Sequence, residues 1–95
     1  MIKININKDE ITIKGHSGYA EEGFDIVCAS VSSISITTVN ALLSIDEDCI
    51  EYEDSDGYLN IKIKKHNEVV DKLIDNMINL LKELEKQYKK NIEIR

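Results

Sequence analysis

Two residues that could perform covalent chemistry, His16 and Cys28, lie twelve positions apart on either side of a glycine-rich segment. The thiolate is the reactive form of cysteine, and both a nearby imidazole and the N-terminus of a helix favour it over the thiol. The sequence predicts a helix start just before Cys28. The pair is therefore a candidate nucleophile and general base.

Two short runs before His16 predict the strands that position it. Isoleucine alternates with polar residues over 2–7 and again over 11–14, with a polar turn between the runs. This period of two is typical of strands with one buried face, and the short connection predicts an antiparallel hairpin. The second strand ends at Gly15. The segment 15–23 holds three of the four glycines and predicts a permissive loop.

Residues 26–45 predict a helix, because apolar and small side chains recur at intervals of three and four (Val27, Val31, Ile34, Thr38, Leu42). Asp25 suits the N-cap position, which would place Cys28 in the first turn. The β-branched residues leave a strand as the other interpretation of part of this stretch, although its length favours a helix. The segment is as long as a membrane span, but its many serine and threonine residues argue against membrane insertion.

The second half of the chain repeats the pattern of hairpin and helix. The Asp-Gly pair at 56–57 between the alternating runs 49–53 and 58–63 predicts a hairpin. Asn67 can cap a second helix whose apolar face suits either a sheet or a coiled coil, and a small domain favours the sheet. Residues 91–95 could add a last short strand. The order ββαββα predicts an α+β two-layer sandwich with a mostly antiparallel sheet, in one domain spanning 1–95.

Each residue near the candidate pair also has a structural interpretation. Cys28 could be a small buried side chain, and Asp25 could be a plain helix cap instead of a group that orients His16. The backbone N–H of Ala29 could join that of Cys28 in binding an oxyanion. Two nearby serines could contact substrate or only keep the helix slim (Ser32, Ser33).

The remaining cysteine and histidine do not extend this site. Cys49 lies in a strand-like run and is expected in the core, and His66 is expected to be exposed. The spacings of 12, 21 and 17 residues between the two histidines and two cysteines contain no close ligand pair. We therefore expect neither a metal ion nor another cofactor.

Composition and charge narrow the class of partner. A net charge of −6 without a basic patch argues against nucleic acid and suits a basic protein or peptide. The N-terminus shows no secretory pattern, so we expect a cytoplasmic protein whose two cysteines are not joined in a disulfide.

At these residues the sequence resembles the ribosomal-processing cysteine protease family of Firmicutes and related bacteria. The resemblance rests on Gly15-His16-Ser17-Gly18, on Gly23 and on the run from Asp25 to Ser32, Asp-Ile-Val-Cys-Ala-Ser-Val-Ser. The predicted order of strands and helices also agrees, so the resemblance extends over nearly the whole chain.

The resemblance implies a homodimeric endopeptidase that removes the N-terminal extension of the large-subunit ribosomal protein numbered twenty-seven. It implies Cys28 as nucleophile and His16 as base of a dyad. The loop containing Ser17, Gly18 and Gly23 would be a flexible cover that substrate must move or order. The alternative from another class is a non-catalytic ribosome-assembly adaptor that binds a basic ribosomal protein.

Overall fold

The computed structural model describes residues 1–15 and 26–95. Its elements, in chain order, are β1 (Ile2–Ile6), β2 (Glu10–Lys14), α1 (Ile26–Ile45), β3 (Ile50–Ser55), β4 (Tyr58–Ile63), α2 (Glu68–Gln87) and β5 (Ile92–Ile94). The predicted order of strands and helices is confirmed, including the short final strand.

The strands form one mixed sheet in the order β3-β4-β2-β1-β5. Three of its pairings are antiparallel, and β5 pairs in parallel with β1. The predicted α+β fold with a mostly antiparallel sheet is therefore confirmed. Strands β3 and β5 are the two edges, and the strand that leads toward His16, β2, lies in the middle.

One face of the sheet forms one wall of the hydrophobic core. The alternation along the strands sends Ile4, Ile11 and Ile61, all fully buried, to this face, while Lys3 and Lys14 point to the other. Both helices contribute buried side chains to the same core. The molecule is thus a two-layer sandwich with a polar outer sheet face.

Helix α1 carries no charged residue along its length. By length and composition alone it could cross a membrane. Its buried residues, however, pack into the hydrophobic core of the protein (Val27, Val31, Val39, Leu42). The predicted helix over 26–45 is confirmed without a strand in any part, because packing of one face outweighs the modest propensity penalty of its β-branched residues.

Helix α2 begins as its sequence predicts. The side-chain oxygen of Asn67 accepts a hydrogen bond from the Val70 N–H over 3.0 Å, which satisfies one of the donors that a helix start leaves unpaired. The buried face of α2 consists of four residues of the predicted stripe (Val70, Ile74, Met77, Leu81). The helix covers the sheet, as expected for a small domain.

The β3–β4 hairpin turns within two residues, Asp56 and Gly57, and Gly57 adopts a φ of 69°. Such a left-handed conformation costs glycine little, which explains the Asp-Gly signal. Strand β3 continues to Ser55, two residues beyond the run that the alternation indicated. This extra length enlarges an exposed edge of the sheet.

Candidate active site

Cys28 is the third residue of α1 and so lies in its first turn. Its side chain is half-buried and packs against the hydrophobic core, whereas Ile26 at the helix start is exposed. A thiol in this position is held by packing yet remains accessible from one side. The predicted placement of Cys28 at a helix start is confirmed.

The first turn of α1 provides a favourable place for negative charge. The N–H groups at a helix N-terminus point out of the helix and carry the positive end of its dipole. An anion at the Cys28 sulfur, or on an oxygen beside it, is stabilised by these groups. The arrangement can therefore support thiolate chemistry and the binding of an oxyanion.

The neighbouring predicted contacts follow from helical spacing. Ser32 lies four residues after Cys28 and thus on the same side of the helix, and Ser33 bears the same relation to Ala29. Ala29, Ser32 and Ser33 are exposed. Ser30 differs, because its hydroxyl donates a hydrogen bond to the Ile26 carbonyl oxygen over 2.7 Å.

The chain just before His16 is held by a close backbone arrangement. Gly15 has a φ of 97°, and its N–H donates a hydrogen bond of 2.8 Å to the Gly57 carbonyl oxygen in the β3–β4 turn. A Cβ atom at this position would lie 2.6 Å from the Met1 carbonyl oxygen. Only glycine meets both conditions, so the motif's first glycine is a structural requirement here.

The topology brings Gly15 and Cys28 to the same end of the molecule. A short turn joins the end of α1 at Ile45 to the start of β3 at Ile50, so α1 runs antiparallel to β3. The first turn of α1 therefore lies toward the β3–β4 turn, where Gly15 is bound. Gly15, which precedes His16, and the thiol of Cys28 therefore lie at the same end of the sheet.

Five predicted site residues lie outside the described residues: His16, Ser17, Gly18, Gly23 and Asp25. Their roles as base, flexible loop, and cap or orienting group remain predictions.

Cys49 has a different environment from Cys28. It is fully buried, and its thiol donates a hydrogen bond to the Leu42 carbonyl oxygen over 3.5 Å. Burial, followed by the negative charge of Asp46, raises the pKa of the Cys49 thiol. The core assignment is confirmed, and Cys49 stays a protonated, unreactive thiol at neutral pH.

His66 has a structural role that its sequence position did not indicate. Its two ring nitrogens lie 2.8 Å from an Asp71 carboxylate oxygen and 2.7 Å from an Asp9 carboxylate oxygen. The Asp71 bond, followed by the Asp9 bond, raises the pKa of the imidazole. It links the β1–β2 turn to α2, at the opposite end of the sheet from Cys28. Nothing in the sequence indicated these two contacts, because Asp9 and Asp71 lie 57 and 5 residues from His66 and such separations produce no periodic pattern.

Across residues 1–15 and 26–95, no group of three or more His, Cys, Asp or Glu side chains is placed to hold a metal ion.

The fold is a small α+β sandwich that presents a thiol in the first turn of its core helix, an arrangement that suits the thiol-dependent enzymes. The family model described as cysteine protease Prp matches residues 1–93. The chain belongs to this family and is a cysteine peptidase.

Similar sequences carry the same family name. The chain is 27% identical over 100 residues to the ribosomal processing cysteine protease Prp of Staphylococcus aureus, covering 98% of this chain and 94% of that protein. It is 29% identical over 87 residues to the protein of that name in Bacillus subtilis, covering 84% and 78%. A 34-residue match to the Mycoplasma genitalium protein reaches 56% identity but covers only 36% of this chain and 34% of that protein.

Solved structures agree with the fold. An essential ribosomal processing protease Prp from S. aureus, in complex with a covalently linked product peptide, has a TM-score of 0.86 and 25% identity, covering 99% of this chain and 95% of that chain. SMU.848 from Streptococcus mutans has a TM-score of 0.75 and 28% identity, covering 99% and 90%.

Proposed function

We propose that this peptidase removes the N-terminal extension of the large-subunit ribosomal protein numbered twenty-seven during ribosome assembly. Relatives that span nearly the whole chain are named ribosomal processing cysteine proteases, which supports the substrate class. The observation that carries the catalytic part is the position of Cys28, at the same end of the sheet as Gly15. A cytoplasmic location follows from a substrate that is built into the ribosome.

The proposed reaction is acyl transfer by a dyad of Cys28 and His16. His16 takes the thiol proton, and the sulfur attacks the scissile carbonyl carbon. The oxyanion so formed is stabilised by N–H groups of the first turn, including those of Cys28 and Ala29. The C–N bond then breaks, and His16 gives its proton to the leaving amine. Water, deprotonated by His16, hydrolyses the thioester and restores the thiol.

Other predicted residues have subsidiary roles in this proposal. Ser32 and Ser33 contact the backbone of the bound peptide, which their exposure one turn after the Cys28 region permits. The loop with Ser17, Gly18 and Gly23 covers the peptide, and Asp25 caps α1 or orients His16.

The same proposal includes a homodimer. Support comes from α1, which has no charged residue in a chain in which 32% of residues are charged. Its exposed side beyond the first two turns includes Thr37 and Asn40 and is thus a surface that a second copy can cover without burying a charge. A lysine introduced by Thr37→Lys should therefore raise the fraction of monomer in light scattering. The matched change Asn79→Lys, at an exposed position of α2, should leave the fraction of monomer unchanged.

Cleavage of a peptide that spans the extension junction tests the proposed reaction. The native chain should release both fragments, detected by mass spectrometry, and Cys28→Ala should lose at least about a thousandfold in rate. His16→Ala should lose a large part of the rate, whereas Cys49→Ala should keep it if the variant folds. Binding of the peptide without turnover by the native chain would support the adaptor alternative and refute the protease proposal.

A further inference from the structure

Strand β3 is one edge of the sheet, and among residues 1–15 and 26–95 no strand pairs with its outer side. It spans six residues, pairs within the described part of the chain only with β4, and keeps a continuous register from Ile50 opposite Ile63 to Ser55 opposite Tyr58. Every residue after Ile50 is exposed. The other edge, β5, is half as long, with three residues. The sheet therefore has one long edge to which another strand can be added.

The hydrogen bonds between β3 and β4 show which backbone groups of β3 point away from the sheet, where another strand could bond to them. The Cys49 carbonyl oxygen accepts a bond of 2.8 Å from the Lys64 N–H, so odd-numbered positions of this strand bond toward β4. Antiparallel pairs alternate between bonded and non-bonded positions. The N–H and carbonyl groups of Tyr52 and Asp54 thus point away from β4. They are spaced to bond with an additional extended chain.

The edge of β3 lacks several of the features that protect sheet edges. Natural sheets blunt their edges with charged side chains, lysine above all, and with proline and bulges; β3 has no lysine, proline or bulge, and its charged residues are all acidic. It carries Glu51, Glu53 and Asp54, followed by Asp56 in the turn. Glu51 pairs with Lys64 over 3.1 Å, whereas no basic side chain in the described ranges forms an ion pair with Glu53 or Asp54. The edge is strongly negative.

The charge also selects the occupant. Antiparallel pairing of this edge with the same edge of a second copy would place acidic residues opposite one another, which is unfavourable. A strand with lysine or arginine at alternate positions meets carboxylates instead. A shallow depression beside β3, lined by Glu51, Tyr52, Glu53, Asn60 and Lys62, can receive one of its side chains. Tyr52, 48% exposed, adds an aromatic surface.

We propose that the free edge of β3 binds an extended basic peptide segment as an additional sheet strand. This mode of recognition takes affinity from main-chain hydrogen bonds and specificity from alternate side chains. The edge ends at the β3–β4 turn, to which Gly15 is bonded. A polypeptide that reaches Cys28 can therefore extend along β3. This binding surface goes beyond the proposed cleavage reaction and does not require it.

The test uses the full chain with Cys28→Ala, so that no cleavage occurs and a failure of the proposed protease function leaves the measurement intact. The probe is the fluorescein-labelled octapeptide Lys-Val-Lys-Thr-Lys-Val-Lys-Thr, and its counterpart has glutamate in place of each lysine. Anisotropy should show saturable binding of the basic peptide only, and binding should weaken as sodium chloride increases. Amide exchange at Tyr52 and Asp54 should slow in the complex.

Two kinds of variant separate the backbone from the charge. Tyr52→Pro removes an N–H that faces solvent, which an edge strand tolerates, and should abolish binding. Tyr52→Thr keeps this N–H and should lose only the share of the affinity that the aromatic ring supplies. Glu53→Gln with Asp54→Asn should weaken binding about three- to tenfold. The matched pair Asp75→Asn with Glu83→Gln, on α2, should have no effect. Circular dichroism establishes that each variant is folded.

Three outcomes would overturn the proposal. The first is no saturable binding of the basic peptide, and the second is binding that Tyr52→Pro leaves unchanged. The third is self-association of the chain that Tyr52→Pro abolishes, because the edge would then be occupied by a second copy.

Discussion

The backbone N–H of Gly15 donates a hydrogen bond to the carbonyl oxygen of Gly57 over 2.8 Å. This bond joins the end of β2, one residue before His16, to the turn of the β3–β4 hairpin. The two glycines are 42 positions apart in the sequence. The backbone that leads into His16 therefore depends on a hairpin that contains none of the proposed catalytic residues.

Substitution of Gly15 should reduce both stability and activity. Gly15→Ala introduces a Cβ atom 2.6 Å from the Met1 carbonyl oxygen, at a φ of 97° that alanine rarely adopts. We expect a loss of about 1–3 kcal/mol in the free energy of unfolding, measured by urea denaturation. A matched pair of variants, Gly15→Asn and Gly57→Asn, serves as the control. Asparagine tolerates the φ near 69° of Gly57, so Gly57→Asn should lower the free energy of unfolding less than Gly15→Asn does. Equal costs at the two positions would contradict the prediction.

The two cysteines should differ in reactivity. Cys28 is half-buried in a helix first turn, whereas Cys49 is fully buried with its pKa raised. An alkylating agent at neutral pH should label Cys28 faster than Cys49 by about tenfold or more. Peptide mass mapping over time gives the two rates. Unfolding in urea should remove the difference, and persistence of the difference there would show that the fold is not its cause.

Protonated His66 should stabilise the fold at low pH. Bonds to Asp71 and Asp9 raise its pKa, so its contribution is fully present below the unfolded pKa and is lost as pH rises through the higher folded pKa. His66→Gln should therefore lower the urea midpoint more at pH 5.5 than at pH 8.5.

A matched control for His66→Gln is Lys72→Gln, which removes the exposed ion pair with Glu68 on α2. This ion pair does not involve His66, so the effect of Lys72→Gln should be the same at both pH values. A His66→Gln effect that is equal at pH 5.5 and 8.5 would show that charge at His66 does not contribute.

Removal of the α2 cap should destabilise the protein modestly. Asn67→Ala deletes the oxygen that accepts from the Val70 N–H and should cost about 1 kcal/mol in unfolding free energy. Asn67→Asp should keep most of the stability, since a carboxylate also accepts this bond. Asn79 is exposed to solvent in the middle of α2, and Asn79→Ala should be neutral or slightly stabilising, because alanine has the higher helix propensity. Thermal unfolding of all three variants checks the order.

The sequence by itself determined the helices and strands and the position of Cys28, the proposed nucleophile, in the first turn of α1. Local physics governs these features: alternation of isoleucine specifies β1 and β2, the Asp-Gly pair specifies the hairpin turn, and Asn67 specifies the start of α2. Cys28 could be placed in a first turn because a capping residue and a helical period are both local signals.

Only the tertiary structure decided how distant parts of the chain support and extend this site. The Gly15–Gly57 bond, the two carboxylates on His66 and the unpaired acidic edge of β3 depend on strand order and register. Sequence alternation indicates which side of a strand is buried but not which strand is its neighbour or which lies at an edge. These contacts form when the whole sheet closes around one core, so they have no signal in any short stretch of sequence.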